Sequence, residues 1–189
     1  MSDVDPLPPS RREAIDRYSE GLRRSLAVVA GNNARFLDYS AVGQTGNEIS
    51  LYTDPNPVRL IKALDGSSVY LFANHRFEAV PASDGVSGWT TRTLGYGYLI
   101  SMTDDLLDAS YVYHWHPETR DGAHVHIASH DEASTIQEGV HGHHLPSGRI
   151  AFEDVVRLLI DEFGVGASPN AHAVLRECED AFRSTRSWE

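Results

Sequence analysis

Three segments of the chain place apolar residues at three- and four-residue intervals, the pattern of an amphipathic helix. The first segment begins after Ser10, a residue type that favours helix N-termini, and ends at Gly31 and Asn32. The second covers residues 152–163, and the third covers residues 171 to about 183. The apolar stripes are Ile15, Tyr18, Leu22, Leu26 and Val29 in the first helix, and Phe152, Val155, Val156, Leu159, Ile160 and Phe163 in the second. We therefore expect an N-terminal helix and two C-terminal helices, with Val155 and Leu159 in the core.

The residues between the first and second helices alternate between apolar and polar, which is typical of strands. Strand-like segments cover residues 34–42, 47–53, 67–74 and 76–80, whereas residues 58–64 are predicted to form a short helix. From Trp89 onward, three strand-like segments separated by short polar turns predict an antiparallel meander over about residues 90–128. The order of helix, strands and helices indicates an α+β fold, with N-terminal and C-terminal helices packed on one face of an antiparallel sheet.

Composition sets the domain count and the broad class of protein. The chain has 189 residues, which fits a single domain over residues 10–189 behind a disordered, Pro-rich lead of residues 1–9. Its single cysteine, Cys178, excludes an internal disulfide framework and a cysteine-based zinc site. Apolar runs are too short for a membrane span, and the acidic N-terminus does not resemble a signal peptide. We expect a soluble, cytoplasmic protein, and its net charge of −11 argues against nucleic-acid binding through a broad basic surface.

The histidines are concentrated in one region of the chain. Eight of the ten lie between residues 114 and 144. In the two segments around them, alternation places His114 and His116 on one face of a strand and His124 and His126 on one face of the next. A hairpin centred on Arg120 would pair residue 114 with 126 and residue 116 with 124, so that all four imidazoles share a face. Tyr113, Trp115, Val125 and Ile127 would then be buried on the opposite face.

Four imidazoles in one patch can share a metal ion, hold a phosphate, or act as an acid–base pair. Glu118 is the nearest carboxylate and would complete a histidine–carboxylate shell of the kind that zinc or iron uses. The simpler alternative is the polar face of a half-exposed sheet, with Glu118 solvated in a turn.

A second candidate element precedes the second predicted helix. His141, His143 and His144 are followed by Ser147–Gly148–Arg149, a turn that can bind an anion through backbone N–H groups and a guanidinium. The alternative is that Pro146 and Gly148 only form a turn and that Arg149 makes an ion pair with Glu153 or Asp154.

The stretch 111–163 resembles the TumE-type toxins of bacterial toxin–antitoxin modules. The shared features are YVYHWHPE at residues 111–118, HVHI at residues 124–127, and a polar turn followed by an amphipathic helix. The resemblance implies a RelE-like α+β fold, a ribonuclease-like activity on RNA, and a cognate antitoxin as protein partner.

Three hypotheses about function follow from these residues. The first is a phosphodiester-cleaving, ribonuclease-like enzyme that uses no cofactor, with His114, His116, His124 and His126 as acid–base groups and Arg149 holding the phosphate. The second is a divalent metal site, zinc or iron, formed by the same four histidines in an enzyme or a metal-binding protein. The third is a non-enzymatic protein whose acidic surface binds a partner. Substrate, metal, partner and oligomeric state remain open at this point.

Overall fold

In a computed structural model, the protein has the α+β fold that the sequence pattern predicts. The structure describes residues 7–38, 48–82, 86–116, 122–127 and 145–187. The helices are α1 (Arg11–Ala30), α2 (Phe152–Asp161) and α3 (Ala171–Thr185). Two short 3-10 helices cover Gly31–Asn33 and Leu106–Asp108.

The described strands form one sheet whose principal strand pairs are antiparallel. They are β1 (Arg35–Asp38), β2 (Glu48–Asp54), β3 (Val58–Ile61), β4 (Ser68–Pro81), β5 (Trp89–Ser101), β6 (Tyr111–Trp115), β7 (Ala123–Ile127), β8 (Leu145–Pro146) and β9 (Arg186–Ser187). The strand order is β1-β2-β4-β5-β6-β7-β8, with β3 also paired to β4 and β9 paired to β5 in parallel. The predicted meander is confirmed, because β5, β6 and β7 are consecutive antiparallel neighbours.

The N-terminal helix forms as its sequence predicts. The Ser10 hydroxyl accepts a hydrogen bond from the Glu13 N–H at 3.2 Å, which caps the first turn. Tyr18, Leu22 and Leu26 are buried along the predicted stripe. The helix ends at Gly31, whose φ of 56° lies in the left-handed region that suits glycine.

The three helices cover one face of the sheet, which we call the helix face; the opposite side is the outer face. Residues on β4 alternate, so that Ala73, His75 and Phe77 are buried on the helix face. Tyr18 of α1 stacks on Phe77 with ring centroids 4.0 Å apart, and Phe152 of α2 lies 5.7 Å from Tyr98 of β5. Val155 and Leu159 of α2 are fully enclosed, which confirms their predicted place in the core.

The short helix predicted at residues 58–64 is wrong, because residues 58–61 form strand β3. Val58 and Leu60 are buried, whereas Arg59 and Ile61 are exposed. Antiparallel pairing with β4 provides hydrogen-bond partners for the backbone of this segment. The two-residue alternation buries its apolar side chains without a helix. A segment of seven residues is too short for helical periodicity to be told from strand alternation.

The segment before α1 contacts the sheet. Pro8 is buried, and its carbonyl accepts a hydrogen bond from the Trp89 N–H at 2.8 Å. Pro8 is therefore in contact with the sheet; residues 1–6 lie outside the described part. Within the described residues, no helix is both long enough and apolar enough to cross a membrane.

Candidate metal centre

The histidines of interest lie on the hairpin formed by β6 and β7. His114 pairs directly with His124, and Val112 pairs with His126. The predicted pairing of 114 with 126 and 116 with 124 is therefore wrong by two residues. A two-residue shift leaves every side chain on its original face, so alternation in the sequence cannot distinguish the two registers. The turn that fixes the register, expected around Arg120, lies outside the described residues.

The predicted faces of the hairpin residues are confirmed, but three of the four side chains predicted to be buried are less buried than expected. Trp115 is buried on the helix face, with its ring 6.0 Å from that of Tyr96. Tyr113, Val125 and Ile127, which we expected to be buried, are only half-buried. The reason is position: α1 packs mainly on β1, β3, β4 and β5, so the β6–β7 hairpin extends beyond the best-covered part of the sheet.

Three histidines converge on the outer face of this hairpin. One ring nitrogen from each of His114, His124 and His126 lies within 4.8 Å of the others. The ring centroids are 5.8 Å apart for His114 and His124, 5.7 Å for His114 and His126, and 5.0 Å for His124 and His126. His124 is buried, and the other two are half-buried. This cluster can hold a metal ion.

The orientation of His124 is fixed by the backbone. Its Nδ1 lies 3.0 Å from the Gly122 carbonyl oxygen. Because a carbonyl can only accept a hydrogen bond, Nδ1 carries the proton, and the lone pair of the neutral ring is on Nε2. Donation from the distal nitrogen to a carbonyl is the usual support of a metal-binding histidine, since it sets both tautomer and ring angle.

The remaining sequence-predicted residues are distributed differently. His116 lies beside His114, with ring centroids 5.3 Å apart, but it is not a member of the three-histidine cluster. Glu118, His141, His143 and His144 lie outside the described residues.

Arg149 lies apart from the histidines. Its guanidinium carbon is 4.2 Å from the centre of the Trp115 ring, a cation–π contact. Trp115 points to the helix face, whereas its neighbours His114 and His116 alternate to the outer face. The structure therefore does not bring Arg149 together with the histidine cluster.

The segment that contains Arg149 is tied to the sheet through Tyr96. The Ile150 N–H donates to the Tyr96 hydroxyl at 2.9 Å. Burial raises the pKa of Tyr96, so the hydroxyl stays neutral and available as an acceptor. This contact anchors the chain between β8 and α2.

Two side chains on the outer face, from β4, were missed by the sequence analysis. Asn74 pairs with Gly97 of β5, and Gly97 pairs with His114. Arg76 pairs with Gly95, which lies two residues away on the same side of β5. The signal that could have pointed to them is the Gly-x-Gly pattern inside β5, because glycine in a strand often marks the close approach of another group.

A further histidine, His75, is buried on the helix face and was also missed. Its Nδ1 lies 3.3 Å from the Tyr18 hydroxyl, and its Nε2 lies 3.1 Å from the Tyr98 hydroxyl. The rings of Phe36 and Phe152 contact it edge-on. His75 is thus a hydrogen-bonded core residue, on the opposite face from the three-histidine cluster.

In comparisons with known proteins, no protein-family model, curated protein or solved structure matches the chain.

Proposed function

We propose that this protein binds a divalent zinc ion through His114, His124 and His126. The observation that carries the proposal is the convergence of three ring nitrogens within 4.8 Å on one face of a hairpin. Strands hold these side chains, and a strand pair positions ligands more rigidly than a loop does. The hydrogen bond from His124 to Gly122 supplies the outer support that such a site needs.

The chemistry of the donors favours zinc over iron. Imidazole nitrogen is a common zinc ligand, and three histidines with a fourth position for water form one arrangement of catalytic zinc. Non-haem iron sites of the oxygenase type use two histidines and one carboxylate. Among the described residues, the ligand group contains histidines and no carboxylate. A zinc ion held in this way would lower the pKa of a bound water and supply a hydroxide nucleophile, which supports assignment as a metal-dependent hydrolase.

The ribonuclease-like activity that acts without a metal, with an antitoxin as partner, remains the alternative. It would use the same histidines as acid and base. The position of Arg149 on the helix face gives that alternative less support than the three converging nitrogens give the zinc site. An RNA-cleavage assay on protein treated with a chelator separates the two, because only a metal-independent enzyme stays active.

The zinc proposal is tested by titration calorimetry on untagged, chelator-treated protein. Wild-type protein should bind about one zinc ion per chain. His124→Ala should weaken binding at least about 100-fold, since even loss of a partner outside the ligand set costs 10- to 100-fold. His172→Ala, which changes an exposed histidine of α3, is the matched control and should bind zinc like wild type. Equal affinity in wild type and His124→Ala would contradict the proposal.

A further inference from the structure

The outer face contains one continuous row of paired residues that leads from β4 to the histidine cluster. Asn74 of β4 pairs with Gly97 of β5, Gly97 pairs with His114 of β6, and His114 pairs with His124 of β7. Asn74 and His114 lie two strands apart, with Gly97 between them. Paired residues on neighbouring strands are about 5 Å apart. Gly97, the residue between Asn74 and His114, is the only member of this row without a side chain.

Glycine at position 97 lets the Asn74 side chain lie flat across β5. A Cβ placed on Gly97 would meet the Asn74 Oδ1 at 3.2 Å and its Nδ2 at 3.4 Å. The amide therefore occupies the space above Gly97. Because both amide atoms are close to that point, the amide lies over β5, the strand between Asn74 and His114.

Arg76 repeats this arrangement over Gly95. A Cβ on Gly95 would lie 3.2 Å from Arg76 Nη2 and 3.3 Å from Nε, and 3.0 Å from the Trp115 carbonyl oxygen of β6. Arg76 Nη2 donates to the Leu94 carbonyl at 3.3 Å, and Nε lies 3.7 Å from Glu48 Oε1. The latter contact is an ion pair at a distance too long for a direct hydrogen bond.

We propose that Asn74 and Arg76 form the substrate-binding side of the zinc centre and recognise an oxyanion, either a phosphate or a carboxylate. The inference rests on the proposed zinc site. An oxyanion bound here would accept hydrogen bonds from the guanidinium and the Asn74 amide and would be attracted by the zinc ion. The two glycines keep β5 free of side chains that would separate these groups.

The charge of the protein makes a local cation necessary for this role. The net charge of −11 repels anions from the surface in general. The Arg76 guanidinium, which lies over β5 next to the first histidine strand, offsets that repulsion at short range, where salt screens it least. Arg76 is also half-buried, which strengthens its attraction for an anion relative to a fully exposed side chain.

The test uses protein loaded with Co²⁺, whose visible absorption reports on the ligands of the metal. Inorganic phosphate and, in a separate titration, acetate are added as probes, and the apparent Kd is taken from the spectral change. Arg76→Gln should raise the Kd of at least one probe by about tenfold or more, the loss expected for a hydrogen bond to a charged group. Asn74→Ala should raise it by a smaller factor. The Co²⁺ affinity itself should not change in either variant.

Arg92→Gln is the matched control. Arg92 pairs with Glu78 in the β4–β5 ladder and makes its ion pair with that carboxylate, farther along the strands from the cluster. It should leave the phosphate and acetate Kd values unchanged. If Arg76→Gln and Arg92→Gln give the same Kd values while binding Co²⁺ normally, the anion-binding role is wrong and the metal site stands. If wild-type protein binds no Co²⁺, the zinc proposal and this inference both fail.

Discussion

His124 of β7 lies directly opposite His114 of β6, with ring centroids 5.8 Å apart. The Nδ1 of His124 donates a hydrogen bond to the Gly122 carbonyl. The strand pair sets the distance between the two rings. The backbone hydrogen bond sets the direction of the second ring. The geometry of the cluster therefore depends on the conformation of Gly122 as well as on the histidines themselves.

Gly122→Ala should weaken zinc binding, because Gly122 has a φ of 65°, which an L-residue adopts only with strain. A shift of its carbonyl would move the partner of His124 Nδ1, so we expect a loss of about 10-fold in zinc affinity. The unfolding free energy should fall by about 1 kcal/mol. Calorimetry and urea denaturation measure the two effects.

Gly66→Ala is the matched control for that variant. Gly66 has a φ of 70° in the turn before β4 and, like Gly122, has open space where a Cβ would be. It should lose similar stability and keep the zinc affinity of wild type. A zinc affinity that falls equally in both variants would show that strain in general, rather than the Gly122 carbonyl, weakens the site.

Arg149→Met should reduce stability slightly without changing zinc affinity. The guanidinium rests on the Trp115 ring on the helix face, and an exposed cation–π contact contributes about 0.5–1 kcal/mol. Thermal denaturation measures the loss, and calorimetry measures zinc binding. A large fall in zinc affinity would mean that Arg149 acts at the histidine cluster after all.

Tyr98→Phe should destabilise the core by about 1–3 kcal/mol, because it leaves His75 Nε2 buried without the hydroxyl that now lies 3.1 Å away. Tyr70→Phe removes a hydroxyl from the outer-face position of β4 and is the matched control. Urea denaturation should separate the two variants. Equal stability would indicate that the Tyr98 hydroxyl contributes no net free energy to folding.

The sequence predicted the α+β class, the helices and the face of the β6–β7 hairpin, because each depends on local periodicity. The stripe of Leu22 and Leu26 and the alternation around Trp115 are examples. The pairing of His114 with His124 was not predictable, since registers that differ by two residues present identical faces.

The neighbours of the cluster were harder to predict for a different reason. Asn74 and His114 are forty residues apart in sequence and meet on the outer face only because β5 pairs with both β4 and β6. Local patterns do not contain the order of strands in a sheet. The half-burial of Tyr113 likewise depends on where the helices end above the sheet, which no pattern within β6 encodes.

Protonation of the Glu179 carboxylate should make the protein less stable in acid. Burial raises the pKa of Glu179, but hydrogen bonds from Arg157 and Arg183 outweigh burial, so the pKa lies below its usual value. The carboxylate therefore contributes stability above the unfolded-state pKa, near 4.3, and loses it as the pH falls through the lower folded-state pKa. Glu179→Gln should lower the unfolding free energy at pH 7 by about 1 kcal/mol and reduce the difference between pH 7 and pH 3.

The control for this prediction is Glu177→Gln, which removes a more exposed carboxylate paired with Arg24 of α1. Its effect on the pH dependence should be smaller than that of Glu179→Gln. Denaturant titrations at several pH values provide the comparison, and an unchanged pH dependence in Glu179→Gln would contradict the sign of the shift.

X-ray absorption at the zinc edge tests the three-histidine site most directly. For untagged wild-type protein loaded with one equivalent of zinc, we expect three imidazole nitrogens and one oxygen from water at about 2.0–2.1 Å. His126→Ala should lose one imidazole from that shell, whereas His116→Ala should keep all three. A wild-type spectrum with no imidazole contribution, or one that is unchanged in His126→Ala, would contradict the account.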